Sequence, residues 1–113
     1  MAKLVKNVDQ GVPFEMAGLV DYEDGTISSL TLSQTKGVGI TVFALAKGEE
    51  IGAHAAPGDA MVLILDGEAE IRIDGNLSIV KKGESIIMPR DIPHALRASV
   101  AFKMLLTVVN EVW

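Results

Sequence analysis

His54 and His94 are the only imidazoles in the sequence, forty positions apart. Imidazole titrates near neutrality and is the commonest metal ligand, so two such rings brought together can hold an ion, relay a proton or hydrogen-bond a ligand. Each histidine lies near a proline in an apolar stretch fenced by glycine: GEEIGAHAAPGDAMVLILDG over 48–67, and GESIIMPRDIPH over 83–94. There is no cysteine, which excludes a thiolate zinc site, a disulfide scaffold and a cysteine nucleophile. No serine sits in a nucleophile-elbow pattern. Near the histidines, Arg97 is a candidate clamp for a carboxylate. Met88, with Met61 and Met104, offers the adaptable side chains that line apolar pockets, and plain core packing is the bland alternative.

For the two rings to meet, strands must carry them, and strands are what the surrounding pattern specifies. Thr26–Thr35 alternates apolar and hydroxyl residues, although strict period two fails between Ile27 and Leu30, which suggests a bulge or a register change there. Gly39–Lys47 is rich in β-branched and aromatic residues. Ala60–Leu65 is apolar on both faces and needs cover on both sides, from a barrel interior and from a second sheet or subunit. Glu68–Ile73 alternates clearly and runs through Asp74-Gly75, a strong two-residue hairpin signal, into Asn76–Val80. Short strands follow at Glu84–Met88 and His94–Leu96, and Val100–Val109 is read as a final strand. The first eighteen residues, broken by Gly11-Val12-Pro13, read as an arm, and residues 19–113 as one barrel domain. The whole is an all-β sandwich or barrel.

Composition narrows the function classes. At 113 residues and 12.0 kDa the chain has room for one core. A net charge of −5, with basic residues scattered, argues against nucleic acid, whose phosphates demand clustered Lys and Arg. No apolar run approaches membrane-spanning length and the amino terminus lacks a signal-peptide core, so a soluble, cytoplasmic protein without a membrane partner is expected. Val62, Ile64, Ile86, Ile87, Leu105 and Leu106 supply more apolar surface than one interior holds. A homodimer is therefore expected, with Trp113 packed on the barrel or on the partner subunit.

The two histidine stretches resemble the motifs of the cupin family. Its first motif runs Gly, five residues, His, one residue, His, three or four residues, Glu, six residues, Gly. Gly48, His54 and Gly67 match, whereas Ala56 stands at the second histidine and Ala60 at the glutamate. The second motif runs Gly, five residues, Pro, one residue, Gly, two residues, His, three residues, Asn. Gly83, Pro89 and His94 match, while Asp91 replaces the glycine and Ala98 the asparagine. The resemblance implies a jelly-roll β-barrel (double-stranded β-helix) that commonly pairs into dimers. It also implies a cavity around His54 and His94, walled by Ala56, Ala60 and Met88, with Arg97 near. A cupin metal is held by three histidines and one glutamate, so only two of the four equivalents are present here. Replacement ligands are conceivable at Glu50, which shares strand parity with His54, and at Asp59, if the Pro57-Gly58 turn shifts the backbone. Two functional expectations follow: a small polar molecule bound in the cavity, or a metal-dependent oxygenase or isomerase. The second would use a divalent transition ion at low occupancy on His54, His94 and a third ligand.

Overall fold

The computed structural model describes residues 3–112; the expectation for Trp113 lies outside them. Among the described residues, nine strands follow a short 3-10 helix, Met16–Leu19: β1 (Ile27–Gln34), β2 (Val38–Leu45), β3 (Glu50–His54), β4 (Asp59–Asp66), β5 (Glu68–Ile73), β6 (Asn76–Lys81), β7 (Ser85–Met88), β8 (His94–Arg97) and β9 (Phe102–Val109). They form two antiparallel sheets. One has the order β1-β2-β9-β4-β7 and the other β3-β8-β5-β6. The strands lie where alternation and turn residues place them, and the two sheets face each other as a jelly roll. No helix among the described residues is long and apolar enough to cross a membrane.

The core forms where the two inner faces meet. Val62, Ile64, Phe102 and Met104 from the first sheet bury against Ala69, Ile71, Val80 and Leu96 from the second. Period two in β4 sends Ala60, Val62 and Ile64 inward and leaves Met61 on the outside. A second apolar cluster covers the opposite face of β1 and β2. There Leu32, Val42 and Ala44 pack with Val20 and with Val8, Met16 and Leu19. The surplus of apolar residues thus finds part of its cover within the chain.

The break in alternation between Ile27 and Leu30 has this same origin, and it is neither a bulge nor a register change. Ile27 packs on the inter-sheet core, whereas Leu30 and Leu32 join the outer cluster. Pairing with β2 runs regularly from Ile27↔Leu45 to Thr31↔Thr41. The register shift falls later, between Thr31 and Ser33. There the amino-terminal arm is hydrogen-bonded to the freed edge: Lys6 N–H donates to the Leu32 carbonyl (2.7 Å), and the Ser33 hydroxyl donates to the Leu4 carbonyl (2.6 Å). A polar clasp holds the next segment. Tyr22 donates to Asp66 (2.5 Å) and Lys103 lies 5.1 Å over the Tyr22 ring while donating to the Ala17 carbonyl (2.7 Å).

Two tight turns set the registers that carry the site. Asp74 and Gly75 both adopt positive φ (50° and 82°), the geometry a two-residue hairpin requires. Gly67, between β4 and β5, also sits at positive φ (71°), and a β-carbon there would collide with the Ala101 carbonyl oxygen. Strain and steric overlap act together, so Gly67→Ala should lower unfolding free energy by about 2 kcal/mol or more. Urea denaturation checks this, and a midpoint equal to wild type would refute the packing described.

Candidate functional site

The site is assembled by one irregularity in β3. Pairing with β8 starts at Glu50↔Arg97 and Ile51↔Leu96, then shifts by one residue so that His54 stands opposite His94. In an unbroken strand, His54 would share a face with Glu50. Because one extra residue inverts parity, Ile51 and His54 both turn towards the interior. His94 opens β8, whose own alternation buries His94 and Leu96 and exposes Arg97.

The loops around the two rings are tied to each other. Asp91 N–H donates to the Ala56 carbonyl (2.8 Å), Arg90 N–H to the Asp59 carboxylate (2.9 Å), and Asp74 N–H to the Pro93 carbonyl (2.9 Å). Asp91 has φ 62°, a left-handed conformation that Asp tolerates better than most residues. The aspartate at the expected glycine position therefore preserves the turn that aims His94.

The two imidazoles meet edge to face, with centroids 4.3 Å apart and planes at 69°. Their Nε2 atoms are 3.1 Å apart. His54 Nδ1 lies 2.9 Å from the Gly52 carbonyl and His94 Nδ1 3.3 Å from the Ile92 carbonyl. A carbonyl can only accept, so the short bond fixes His54 as the Nδ1–H tautomer and leaves its Nε2 a bare acceptor. With the two rings alone in contact, His94 Nε2–H donates to His54 and its own longer contact to Ile92 goes unserved. If a cation or another donor comes between the rings, both Nδ1 protons can point at carbonyls and both Nε2 lone pairs face inward. Burial, and secondarily the neighbouring His54, hold the His94 pKa below the ordinary imidazole value, with the Ile92 carbonyl opposing in part. That shift favours the neutral ring, which carries one N–H and one lone pair.

Beyond the pair lies a cavity of about 250 Å³. Ala56, Ala60 and Met88 line it, joined by residues that the motif comparison does not single out: Phe43, Ile51 and Leu96, and Met104, Leu106 and Val108 from β9. Of these, Leu96 was recoverable from inward parity two residues after His94, whereas Ile51 lies across the β3 shift and β9 is apolar on both faces.

Three expectations need correction. Glu50 is exposed on the outer face of the second sheet, because the β3 bulge reverses its parity relative to His54. Arg97 stands on that outer face too, 3.4 Å from Glu70, since three residues from His94 is the wrong parity for the cavity. Asp59 is exposed and spent on the Arg90 amide. Glu50, Arg97, Glu70 and Arg72 instead border a separate outer groove of about 290 Å³.

A metal centre can be judged from these donors. Two imidazole nitrogens on one ion at about 2.0–2.1 Å stand roughly 2.9–3.4 Å apart, and the observed 3.1 Å separation lies in that span. Ring N–H groups directed at carbonyls are the usual outer support of metal-bound histidine. The further ligands fail: Ala56 and Ala60 present methyl groups, and among the described residues no three His, Cys, Asp or Glu side chains are grouped to hold an ion. The residues do not fit the three-histidine, one-glutamate set.

The comparisons agree with this architecture. Residues 41–109 match the family described as the cupin domain. A conserved protein of unknown function from Streptococcus pyogenes has 46% identity over 99% of this chain and 98% of its own, with TM-score 0.96. A cupin 2 conserved barrel domain protein from Leptotrichia buccalis has 45% identity over 86% of this chain and TM-score 0.85, but this chain spans only 47% of its length. A cupin superfamily protein from Desulfitobacterium hafniense has 30% identity over 95% of this chain and 98% of its own, with TM-score 0.90. No curated protein matches the sequence. With the matched region covering β2 to β9, histidine loops included, the chain belongs to the cupin family.

Proposed function

We propose that this cupin binds a small molecule with an apolar body and one hydrogen-bonding group. The group docks on the Nε2 edges of His54 and His94 and the body fills the cavity behind them. The observation that carries this reading is the facing imidazole pair set in an otherwise apolar chamber, the usual make-up of a small-molecule site. A chamber of about 250 Å³ lies just below the range for drug-sized ligands. It corresponds to about eight water volumes, so the ligand is small. His54 is exposed and His94 buried, which makes His54 the entrance and His94 the inner anchor.

Phenol and benzene form a matched probe pair, since only phenol can donate to a bare Nε2. In methyl-detected NMR, both should move the Met88 and Met104 resonances, and phenol should bind about threefold to tenfold tighter, the worth of one net hydrogen bond. His54→Ala should narrow that gap. Equal affinity for the two probes in the wild-type protein would refute anchoring by the imidazoles.

Homodimerisation is proposed at the outer face of β7, β4 and β9, where Ile87, Met61 and Val109 are 55%, 46% and 57% exposed. Register places Met61 beside Ile87, and Asp59 beside Val109, so these apolar groups lie on neighbouring strands at the end of the sheet that the arm does not cover. The occupant is a second copy of the same face, since a two-fold axis makes such a patch self-complementary. Light scattering at micromolar concentration should give twice the chain mass, reverting to one chain with Ile87→Lys. A wild-type monomer would rule the dimer out.

A further inference from the structure

The outer face of the second sheet carries its charges in two rows that do not balance one by one. Register aligns Glu50, Arg97 and Glu70 across β3, β8 and β5. Two carboxylates there share one guanidinium, which lies 3.4 Å from Glu70 through a single nitrogen. Two residues along β5, Arg72 stands opposite Ala95 of β8 and Leu77 of β6, and neither neighbour can pair with it. Among the described residues the ion pairs are Arg97–Glu70 and Arg90–Glu111, so Arg72 and Glu50 are both without one. Between them the surface is hollow. Gly52 and Ala53, which lie within the β3 shift, and Ala95 line the groove of about 290 Å³, and their small side chains leave room that larger residues would fill.

We propose that this groove binds a small zwitterion, with its carboxylate on Arg72 and its ammonium at the Glu50 end of the carboxylate row. The site is separate from the His54–His94 chamber and does not rest on the reading of that chamber. With two arginines and two glutamates, the groove is neutral as a whole. A plain anion at Arg72 is repelled by the carboxylates of the adjacent row, and a plain cation at Glu50 is repelled by the arginines. A neutral molecule with separated charges is attracted at both ends. Arg72 suits the carboxylate because guanidinium offers parallel N–H donors to its two oxygens. Spacing sets the ligand's length. Glu50 and Arg72 stand diagonally, two strands and two residues apart, or about 12 Å between backbones. Both side chains line the groove and take up part of that span. An extended dipeptide, about 7 Å long, bridges the remainder, whereas a free α-amino acid carries both charges on one carbon and is too short. An ω-amino acid of similar length shares the required chemistry. Exposed charge pairs are individually weak, so a dissociation constant of about 1 mM is expected.

The test is methyl-detected NMR of the full chain titrated with alanyl-alanine. Its N-acetyl form, its C-terminal amide, free alanine, δ-aminovalerate and inorganic phosphate are titrated in parallel. Alanyl-alanine should move the Ala53 and Ala95 methyl resonances and leave those of Met88 and Met104 in place. The two capped peptides, alanine and phosphate should each bind about threefold weaker or more. Whichever of alanyl-alanine and δ-aminovalerate binds tighter identifies the source within the class. Arg72→Gln, at an exposed position, should abolish the preference for alanyl-alanine over its amide. Glu50→Gln, also exposed, should abolish the preference over the N-acetyl form. Capped peptides or phosphate that bind as tightly as alanyl-alanine would overturn the proposal, as would preferences that survive in the folded variants. A shift at Met88 in place of Ala53 and Ala95, or no shift at about ten times the expected constant, would overturn it too.

Discussion

One extra residue in β3 governs what this protein can do. Without the shift between Ile51 and His54, strict alternation would send His54 outward with Glu50, and His94 would be a lone buried imidazole. The bulge tolerates the change because β3 is an edge strand, paired only with β8 in the second sheet, so one lost ladder position disturbs one neighbour. Its consequence is a pair of nitrogens 3.1 Å apart with opposed lone pairs, an arrangement that needs a proton, a donor or a cation between the rings.

The rest of the fold holds that contact in place. Asp91, in a left-handed turn, ties the loop before His94 to Ala56, and Asp59 fixes the same loop through the Arg90 amide. Gly67 allows β4 to turn sharply into β5, and β5 supports β8 from the opposite side. Packed aliphatic layers beneath the rings keep the chamber shape, since interiors transmit strain and do not deform smoothly. The polar work of the remaining ionisable residues is done elsewhere: Glu70 with Arg97 on the outer face of the second sheet, and Asp66 with Tyr22 at the clasp of the amino-terminal segment.

Much of the fold was legible in the sequence because period-two alternation and Gly, Pro and Asp-Gly turns are local signals. Asp74-Gly75 is the clearest case, and the meeting of His54 with His94 was implied by the resemblance to the cupin motifs. Parity near an irregularity was not legible. Glu50 looked like a neighbour of His54 because sequence counting assumes an unbroken strand, and the bulge that breaks it depends on pairing with β8. The Ile27–Leu30 irregularity went the opposite way: an apparent bulge was an ordinary strand with apolar residues on both faces, the outer face being covered by Val20 and the arm. Arg97 was recoverable from parity alone, since Leu96 takes the inward position. The lining supplied by β9 was obscured because its strand is apolar on both sides, which removes the alternation that would distinguish them.

The central claim is that the two imidazoles form one coupled unit, and with only two histidines in the chain their ring nitrogens can be read without ambiguity. Long-range nitrogen–proton NMR of wild-type protein and His54→Ala tests it directly. The account predicts that His94 carries its proton on Nε2 in wild type and moves it to Nδ1, towards the Ile92 carbonyl, once the His54 ring is gone. A His94 spectrum that is identical in the two proteins would contradict it.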